Sequence, residues 1–311
     1  MELIRGEHNL RPRHHGGVAT IGNFDGVHLG HQAVIAQLRE EAARRGVPPV
    51  LITFEPLPHE YFMGAKAPAR LTGLRGRLCR FEQFGVERTL LLRFDARLAA
   101  RTAQGFIREL LVERLGVQAV IVGDDFRFGK DRGGDFALLT EAGRSHGFDV
   151  IRQHTFTLGG ERVSSTRIRQ ALSRGDLETV AALLGRPYTI SGRVRHGDKR
   201  GRCIGFPTAN LALPPGQSAI SGVFAVSVRL QEGFIARGVA NVGKRPTVGG
   251  QEPLLEVHLF DFGGDLYGRH LEVELRHKIR EERRFESFDA LKRQIRADAE
   301  LAKAILERQT T

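Results

Sequence analysis

The hydrophobic period of this 311-residue chain changes once, at Gly185-Arg186-Pro187, and that change limits the possible folds more than any other feature. Before it, short aliphatic runs at Val18–Ile21, Val50–Phe54, Thr89–Phe94, Ala119–Val122 and Asp149–Arg152 alternate with longer segments of helical spacing. Helices are predicted over about 29–45, 74–84, 102–115, 135–145, 166–174 and 177–184, with Asp176 as the N-cap of the last. Strands that are apolar throughout, each followed by a helix, must be covered on both faces. The expectation is therefore an open, doubly wound parallel sheet with right-handed crossovers. After the change, period-2 segments take over at Tyr188–Val194, Val223–Leu230, Phe234–Val242, Leu254–Phe260 and Leu271–Leu275, separated by Gly- and Asp-rich turns. That half predicts a small antiparallel barrel or sandwich with one amphipathic helix at about 287–307, its stripe carried by Phe288, Leu291, Ile295 and Leu301. The length exceeds what one core usually fills, so two domains are expected, 1–186 and 187–311.

Charge limits the partners. Lys+Arg number 47 against 36 Asp+Glu, a net +11, which points to an anionic partner: nucleic acid, an acidic membrane surface or a phosphorylated small molecule. Lysine occupies only seven positions, and an arginine bias of this kind also follows from genome composition. No RNA-recognition, zinc-finger or helix-turn-helix pattern appears, and the arginines are dispersed. No run approaches the ~18–20 apolar residues of a membrane span. The first residues do not resemble a secretory signal, and two cysteines, Cys79 and Cys203, are too few for a disulfide scaffold, so a reducing cytoplasm is the expected location.

Three segments of the first half carry chemistry. Ala19 to His31 joins the first strand to the first helix, where an open parallel sheet binds ligands and a helix N-terminus offers N–H groups to phosphate. His28 and His31 share a face there, while Gly22, Gly26 and Gly30 allow close approach. A polar pair opening a helix is the plainer reading of two such histidines. Val163 to Arg169 opens a later helix with Ser165 and Thr166, which would cap it in any protein, followed by Arg167 and Arg169, which suit a phosphate clamp. Between them, Asp124, Asp125, Phe126 and Phe128 follow a strand; the aromatics suit ring stacking or, equally, core anchorage, and the acids suit hydrogen bonding or a metal.

In the second half, Gly238 to Lys244 fits seven positions of a Walker loop but continues with Arg245 and Pro246, so neither the hydroxyl nor the helix that the mechanism needs is present. The better candidate is His196 to Asn210. Gly197, Lys199, Gly201 and Gly205 make a cationic, Gly-rich loop suited to a diphosphate, and Pro207 leads into Thr208 and Asn210, two neutral oxygen donors suited to Mg²⁺. Glu256 is a carboxylate within an otherwise apolar strand. Partial burial there is expected to raise its pKa toward the range useful to a general base, the alternative being a solvent-face residue. Alternation places Glu256, His258 and Phe260 on one face and Val257 and Leu259 on the other.

The string Gly22-Asn23-Phe24-Asp25-Gly26-Val27-His28-Leu29-Gly30-His31 resembles the His-x-Gly-His signature of the nucleotidylyltransferase superfamily, and Ser164 to Arg169 resembles its Ser-Ser/Thr-x-x-Arg element. Thr53-Phe54-Glu55-Pro56 and Gly123 to Gly129 resemble its flavin-adenylylating branch. One departure is Leu57, where that branch usually has histidine between two prolines. The Gly-rich loop with Pro207-Thr208-Ala209-Asn210, and the segments around Asn241, Glu256 and Arg280, resemble riboflavin kinases. Taken in order, the chain resembles the bifunctional riboflavin kinase/FAD synthetase family. The resemblance implies a Rossmann-like α/β domain followed by an all-β Greek-key barrel with a C-terminal helix. It implies riboflavin, FMN and ATP as substrates, FMN and FAD as products, and Mg²⁺ accompanying ATP, without nucleic acid or membrane partners. His28 and His31 would bind the triphosphate, with Gly22, Phe24, Asp25, Gly30, Ser165, Thr166, Arg167 and Arg169 around ATP. Asp125, Phe126 and Phe128 would hold flavin, and Glu256 would take the proton from the ribityl hydroxyl. The alternatives are a chain that keeps only the kinase and, from another class, a basic nucleic-acid-binding protein.

Overall fold

The fold was obtained as a computed structural model that describes residues 1–123, 125–196, 205–213, 218–230, 233, 235–247 and 250–308. The chain divides into two compact units. One comprises residues 1–67 and 74–164; the other comprises residues 68–73 and 165–311.

The first unit is built on a six-stranded sheet: β1 (Glu2–Arg5), β2 (Val18–Ile21), β3 (Pro49–Glu55), β4 (Arg88–Arg93), β5 (Ala119–Gly123) and β6 (Asp149–Gln153). Every pairing is parallel, in the order β1-β4-β3-β2-β5-β6. Along β2 and β3 successive side chains enter opposite cores. Ala19, Ile21, Val50 and Ile52 pack with Phe106, Leu110 and Leu111 on one face. On the other face Val18 packs with Leu38 and Ala42, and Leu51 with Ile35 and Phe81. Burial on both faces explains why the strands read as continuous apolar runs. The chain runs from β2 outward to β3 and β4, then returns to the other side of β2 as β5. The carboxyl end of β2 is thus the topological switch point, where such sheets bind ligands.

Five of these strands are the five expected ones; β1, at the edge, was not anticipated because its four residues Glu2-Leu3-Ile4-Arg5 carry a single buried side chain, Ile4. The helix expected over 102–115 is a short α turn at Ala103–Gly105 followed by a π-helix, Phe106–Arg114, in which Leu115 N–H donates to Leu110 C=O five residues back. Its apolar residues lie four apart, a spacing that does not distinguish the two helix types. The Leu29–Arg45 helix ends at Gly46 in the left-handed region.

In the second unit, helices Ser165–Ser173 and Leu177–Leu184 precede the barrel, the latter capped by Asp176, whose carboxylate accepts from Thr179 N–H at 3.0 Å. The barrel strands are β9 (Thr189–Arg195), β10 (Ala209–Ala212), β11 (Gly222–Arg229), β12 (Ile235–Thr247), β13 (Gly250–Leu259) and β14 (His270–Arg280), numbered after the two-residue strands β7 (Thr157–Leu158) and β8 (Glu161–Arg162) of a hairpin in the first unit. They close in the order β10-β13-β12-β11-β14-β9, every pair antiparallel. Strands β11, β12 and β13 form a meander and β14 returns beside β11, which is a Greek key. Strand β10 was not anticipated, since only four residues of it pair.

The C-terminal helix, Phe288–Arg308, covers part of the outer barrel face with Ala299, Ala302 and Leu306 packed on Val223, Ala225 and Val239. Arg280 of β14 meets Asp298 of this helix through Nε and Nη2 at 2.7–3.0 Å, with Asp298 only 4% exposed. The expected stripe needs correcting: Phe288 and Leu301 are exposed. The helix docks through small residues, and Leu301, six residues beyond Ile295, falls well off the face that Ile295 shares with Ala299 and Ala302.

Candidate functional site

At the switch point, residues 22–28 leave β2 through an irregular turn. Phe24 (φ 50°) and Val27 (φ 44°) both adopt the left-handed region, with Gly26 (φ 86°) between them. Such a conformation costs on the order of 1–3 kcal/mol for each non-glycine residue, most of all for a β-branched one. Both side chains are buried, Phe24 at 2% and Val27 at 0% exposure. At roughly 1.5–3 kcal/mol for each large apolar side chain, burial offsets the strain. Phe24 packs edge-on to Phe81 at 5.6 Å and tilted against His31 at 5.1 Å.

The turn delivers His28 as the N-cap of the Leu29–Arg45 helix: its Nδ1 accepts from His31 N–H at 3.3 Å. An accepting Nδ1 leaves the proton of a neutral ring on Nε2, a donor in the position where a helix N-terminus favours anions. The rings of His28 and His31 stack, centroids 3.7 Å apart and 16° from parallel. Burial first, and the neighbouring His28 second, hold His31 well below the usual imidazole range, so it stays neutral at pH 7. The Nδ1 of His31 is enclosed and has no hydrogen-bond partner among the described residues. Gly30 lets the His28 ring lie close, since a Cβ there would stand 3.2 Å from it and the ring would have to shift by a few tenths of an ångström. Gly22, Phe24, Asp25 and His28 of the turn are thus brought together with Gly30 and His31 of the helix's first turn, with Asp25 2% exposed.

One residue of this neighbourhood was not singled out from the sequence. Arg77, on the Leu74–Gln83 helix, is fully buried. Its Nη1 donates to Asn23 C=O (2.9 Å) and Thr53 Oγ1 (3.1 Å), and its Nη2 to Phe54 C=O (3.2 Å) and Glu55 Oε2 (2.6 Å). Leu57, the departure from the flavin-adenylylating pattern, is fully buried.

At the end of β5, Asp124 lies outside the described residues. Asp125 pairs with Arg162 at 2.7 Å. Phe126 and Phe128 stack at 5.2 Å, and Phe128, 8% exposed, also packs on Phe106 in the main core. Phe128 is therefore a core residue whatever else it does. The loop after it rests on the neighbouring helix start: Lys130 N–H donates to Arg101 C=O, and a Cβ on Gly129 (φ 73°) would lie 2.5 Å from Ala103 N.

In the second unit, Ser165 opens its helix, Thr166 is exposed, Arg167 is half-buried, and Arg169 Nε donates to Ala69 C=O at 2.5 Å. Of the Gly-rich loop, Gly197, Lys199 and Gly201 lie outside the described residues. Gly205 is left-handed (φ 80°). On the barrel, Glu256 of β13 sits opposite Asn210 of β10 and Asn241 of β12, placing three polar side chains in a row across adjacent strands. Asn210 is 8% exposed, and its Nδ2 donates to Thr208 C=O at 3.5 Å. As alternation predicts, Leu255, Val257 and Leu259 are buried, whereas Glu256, His258 and Phe260 lie on the half-buried outer face. His258 Nδ1 donates to Pro207 C=O at 2.9 Å, which ties the residue before Thr208 to the strand bearing Glu256. Asn241 and His258 were not picked as site residues, although both stand in phase with polar positions of their strands.

An open parallel sheet with a histidine-bearing turn at its switch point, followed by a barrel carrying a carboxylate between two asparagines, defines a two-unit transferase of the nucleotide-handling class. The family model described as FAD synthetase matches residues 10–167, and the one described as riboflavin kinase matches residues 184–306. The chain belongs to the bifunctional riboflavin kinase/FMN adenylyltransferase family. It is 54% identical over 299 residues to the Escherichia coli (strain K12) member, covering 96% of each chain, and 51% identical over 304 residues to that of Haemophilus influenzae, covering 98% of this chain and 99% of the relative. A solved structure described as a macrolide-efflux protein from Streptococcus pneumoniae shares the fold, with TM-score 0.81 and 31% identity over 97% of this chain and 99% of that one. Among the described residues, no helix is long and apolar enough to cross a membrane.

Proposed function

We propose that the chain makes FAD in two ATP-dependent steps. In the barrel domain, 187–311, the ribityl 5′-hydroxyl of riboflavin attacks the γ-phosphorus of ATP, its proton passing to Glu256, and ADP leaves with FMN formed. In the first domain, 1–186, a phosphate oxygen of FMN attacks the α-phosphorus of a second ATP, and pyrophosphate leaves with FAD formed. The observation that carries this reading is the coincidence of each family match with one side-chain constellation: residues 10–167 contain the His28/His31 turn, and residues 184–306 contain the Asn210–Glu256–Asn241 row.

His28 and His31 orient the triphosphate through imidazole N–H groups at a helix N-terminus and stabilise the charge that develops on pyrophosphate. Gly22, Phe24, Asp25 and Gly30 shape that pocket, and Ser165, Thr166, Arg167 and Arg169 supply further phosphate ligands. Asp125, Phe126 and Phe128 hold the flavin. In the kinase, Gly197, Lys199, Gly201, Gly205 and Pro207 hold the ATP phosphates. Thr208 and Asn210 fit a magnesium ion, which prefers few protein oxygens plus phosphates; bound there, it would neutralise charge on the nucleotide. The substrates are small molecules, and the reading places the enzyme in the cytoplasm, independent of nucleic acid.

Incubation with riboflavin, ATP and Mg²⁺ followed by flavin chromatography tests the reading. Accumulation of FMN followed by FAD supports it. FMN alone would leave only the kinase, and no turnover, with salt-sensitive RNA binding instead, would favour the nucleic-acid alternative.

A further inference from the structure

Arg77 stands outside every motif that identifies the family reading, yet it is fully buried and meets two elements of the first unit at once. A guanidinium removed from water is costly unless its donors are satisfied. Here the two terminal nitrogens, Nη1 and Nη2, reach the carbonyl of Asn23, the hydroxyl of Thr53, and the carbonyl of Phe54 and carboxylate of Glu55, while Nε makes no hydrogen bond among the described residues. Thr53 Oγ1 also donates to Asn23 C=O, at 3.4 Å. All of these acceptors lie at the carboxyl ends of β2 and β3, beside the switch point. Asn23 is the residue before Phe24, where the backbone enters the left-handed region, and four residues later the same turn presents His28. A strained turn keeps its shape only where its surroundings over-determine it. Arg77 supplies that constraint from outside the turn, and its planar fork is suited to fixing several acceptors in one plane.

We propose that Arg77 is a positioning residue of adenylyl transfer. By clamping Asn23 to the end of β3 it sets where the His28/His31 pair meets the triphosphate, without touching substrate itself. The same grip orients the Glu55 carboxylate at the end of β3. The proposal rests on the adenylyltransferase reading of this unit and extends it to a residue on a different helix.

The test uses the full chain, in which riboflavin phosphorylation serves as an internal control. In Arg77→Met, which keeps an unbranched apolar stem and loses every donor, kcat for FAD formation from FMN should fall about a hundredfold, the scale of a misplacement near 1 Å. The KM for ATP should change much less, and kinase activity should stay within twofold. Arg77→Lys, which retains charge and part of the donor set, should recover to within about tenfold of the parent. Adenylyl transfer within threefold of the parent in Arg77→Met would overturn the proposal. So would a loss seen only as a raised KM, or a lysine variant no better than the methionine one. Should the methionine variant fail to fold, the lysine variant decides alone: a reduced kcat with unchanged kinase activity supports the proposal, and parental kcat overturns it. A parent protein that makes no FAD would instead overturn the adenylyltransferase reading, so the two failures are separable.

Discussion

The two constellations reach similar chemical ends by opposite structural means. The turn at the end of β2 places its histidines with irregular backbone, two non-glycine residues in the left-handed region and a stacked ring pair. The barrel places Glu256 by register alone, in a ladder where Asn210 and Asn241 are its neighbours on either side. An irregular turn needs groups from elsewhere, here Phe81 and Arg77, to hold it. A ladder fixes spacing through its own hydrogen bonds. The first site is therefore vulnerable to remote substitutions that the second should tolerate.

The largest expected effect isolates the ladder. Glu256→Ala should lower riboflavin phosphorylation about a thousandfold, within the range for loss of a general base, while supplied FMN is still converted to FAD. Rate measurements on both reactions with one preparation check this, and equal loss of both would end the two-site assignment. The converse substitutions, His28→Ala or His31→Ala, should cut FAD formation by roughly a hundredfold or more, as for removal of one charge-stabilising donor, and spare FMN formation.

A smaller effect concerns pH. His31 is depressed by burial, so the unfolded chain takes up protons that the folded one refuses. The contribution of neutral His31 to stability is complete above the ordinary imidazole pKa near 6.5 and diminishes as pH falls below it. Thermal melts from pH 8 to pH 5 should show a steeper decline for the parent than for His31→Gln; parallel curves would contradict the assignment. The smallest effect lies toward the other end of the Leu29–Arg45 helix from His28. Hydrogen bonds from Arg44 first and Arg45 second lower the pKa of Glu41 from 4.5 to about 2. Its contribution is present above pH 4.5 and lost as pH falls toward 2. For such a largely surface network it should not exceed about 1 kcal/mol, read as a slightly flatter acid melt in Glu41→Gln.

What was legible followed period and motif. The two-part architecture, five of the six parallel strands and five barrel strands were readable because burial on two faces or one leaves distinct patterns. β1 and β10 were not, being four residues each with too few buried positions to show a period. Local motifs pointed to His28 and Glu256. Arg77 was missed because its partners lie 22–54 residues away and a charged side chain is rarely buried, although its place four residues before Phe81 puts it on the buried face of its helix. Leu301 misled because an apolar residue on a helix need not lie on the docking stripe.

The π-helix Phe106–Arg114 has a further consequence. Because each turn closes five residues back instead of four, the segment carries more chain than an α-helix of equal length would. It is a store of slack that directly follows the α turn begun by Ala103, against which Gly129 is packed without room for a side chain. Removing one residue from 106–114 would take up that slack and turn the helix start, so the damage would register at the loop that carries Phe128 and not in the helix itself.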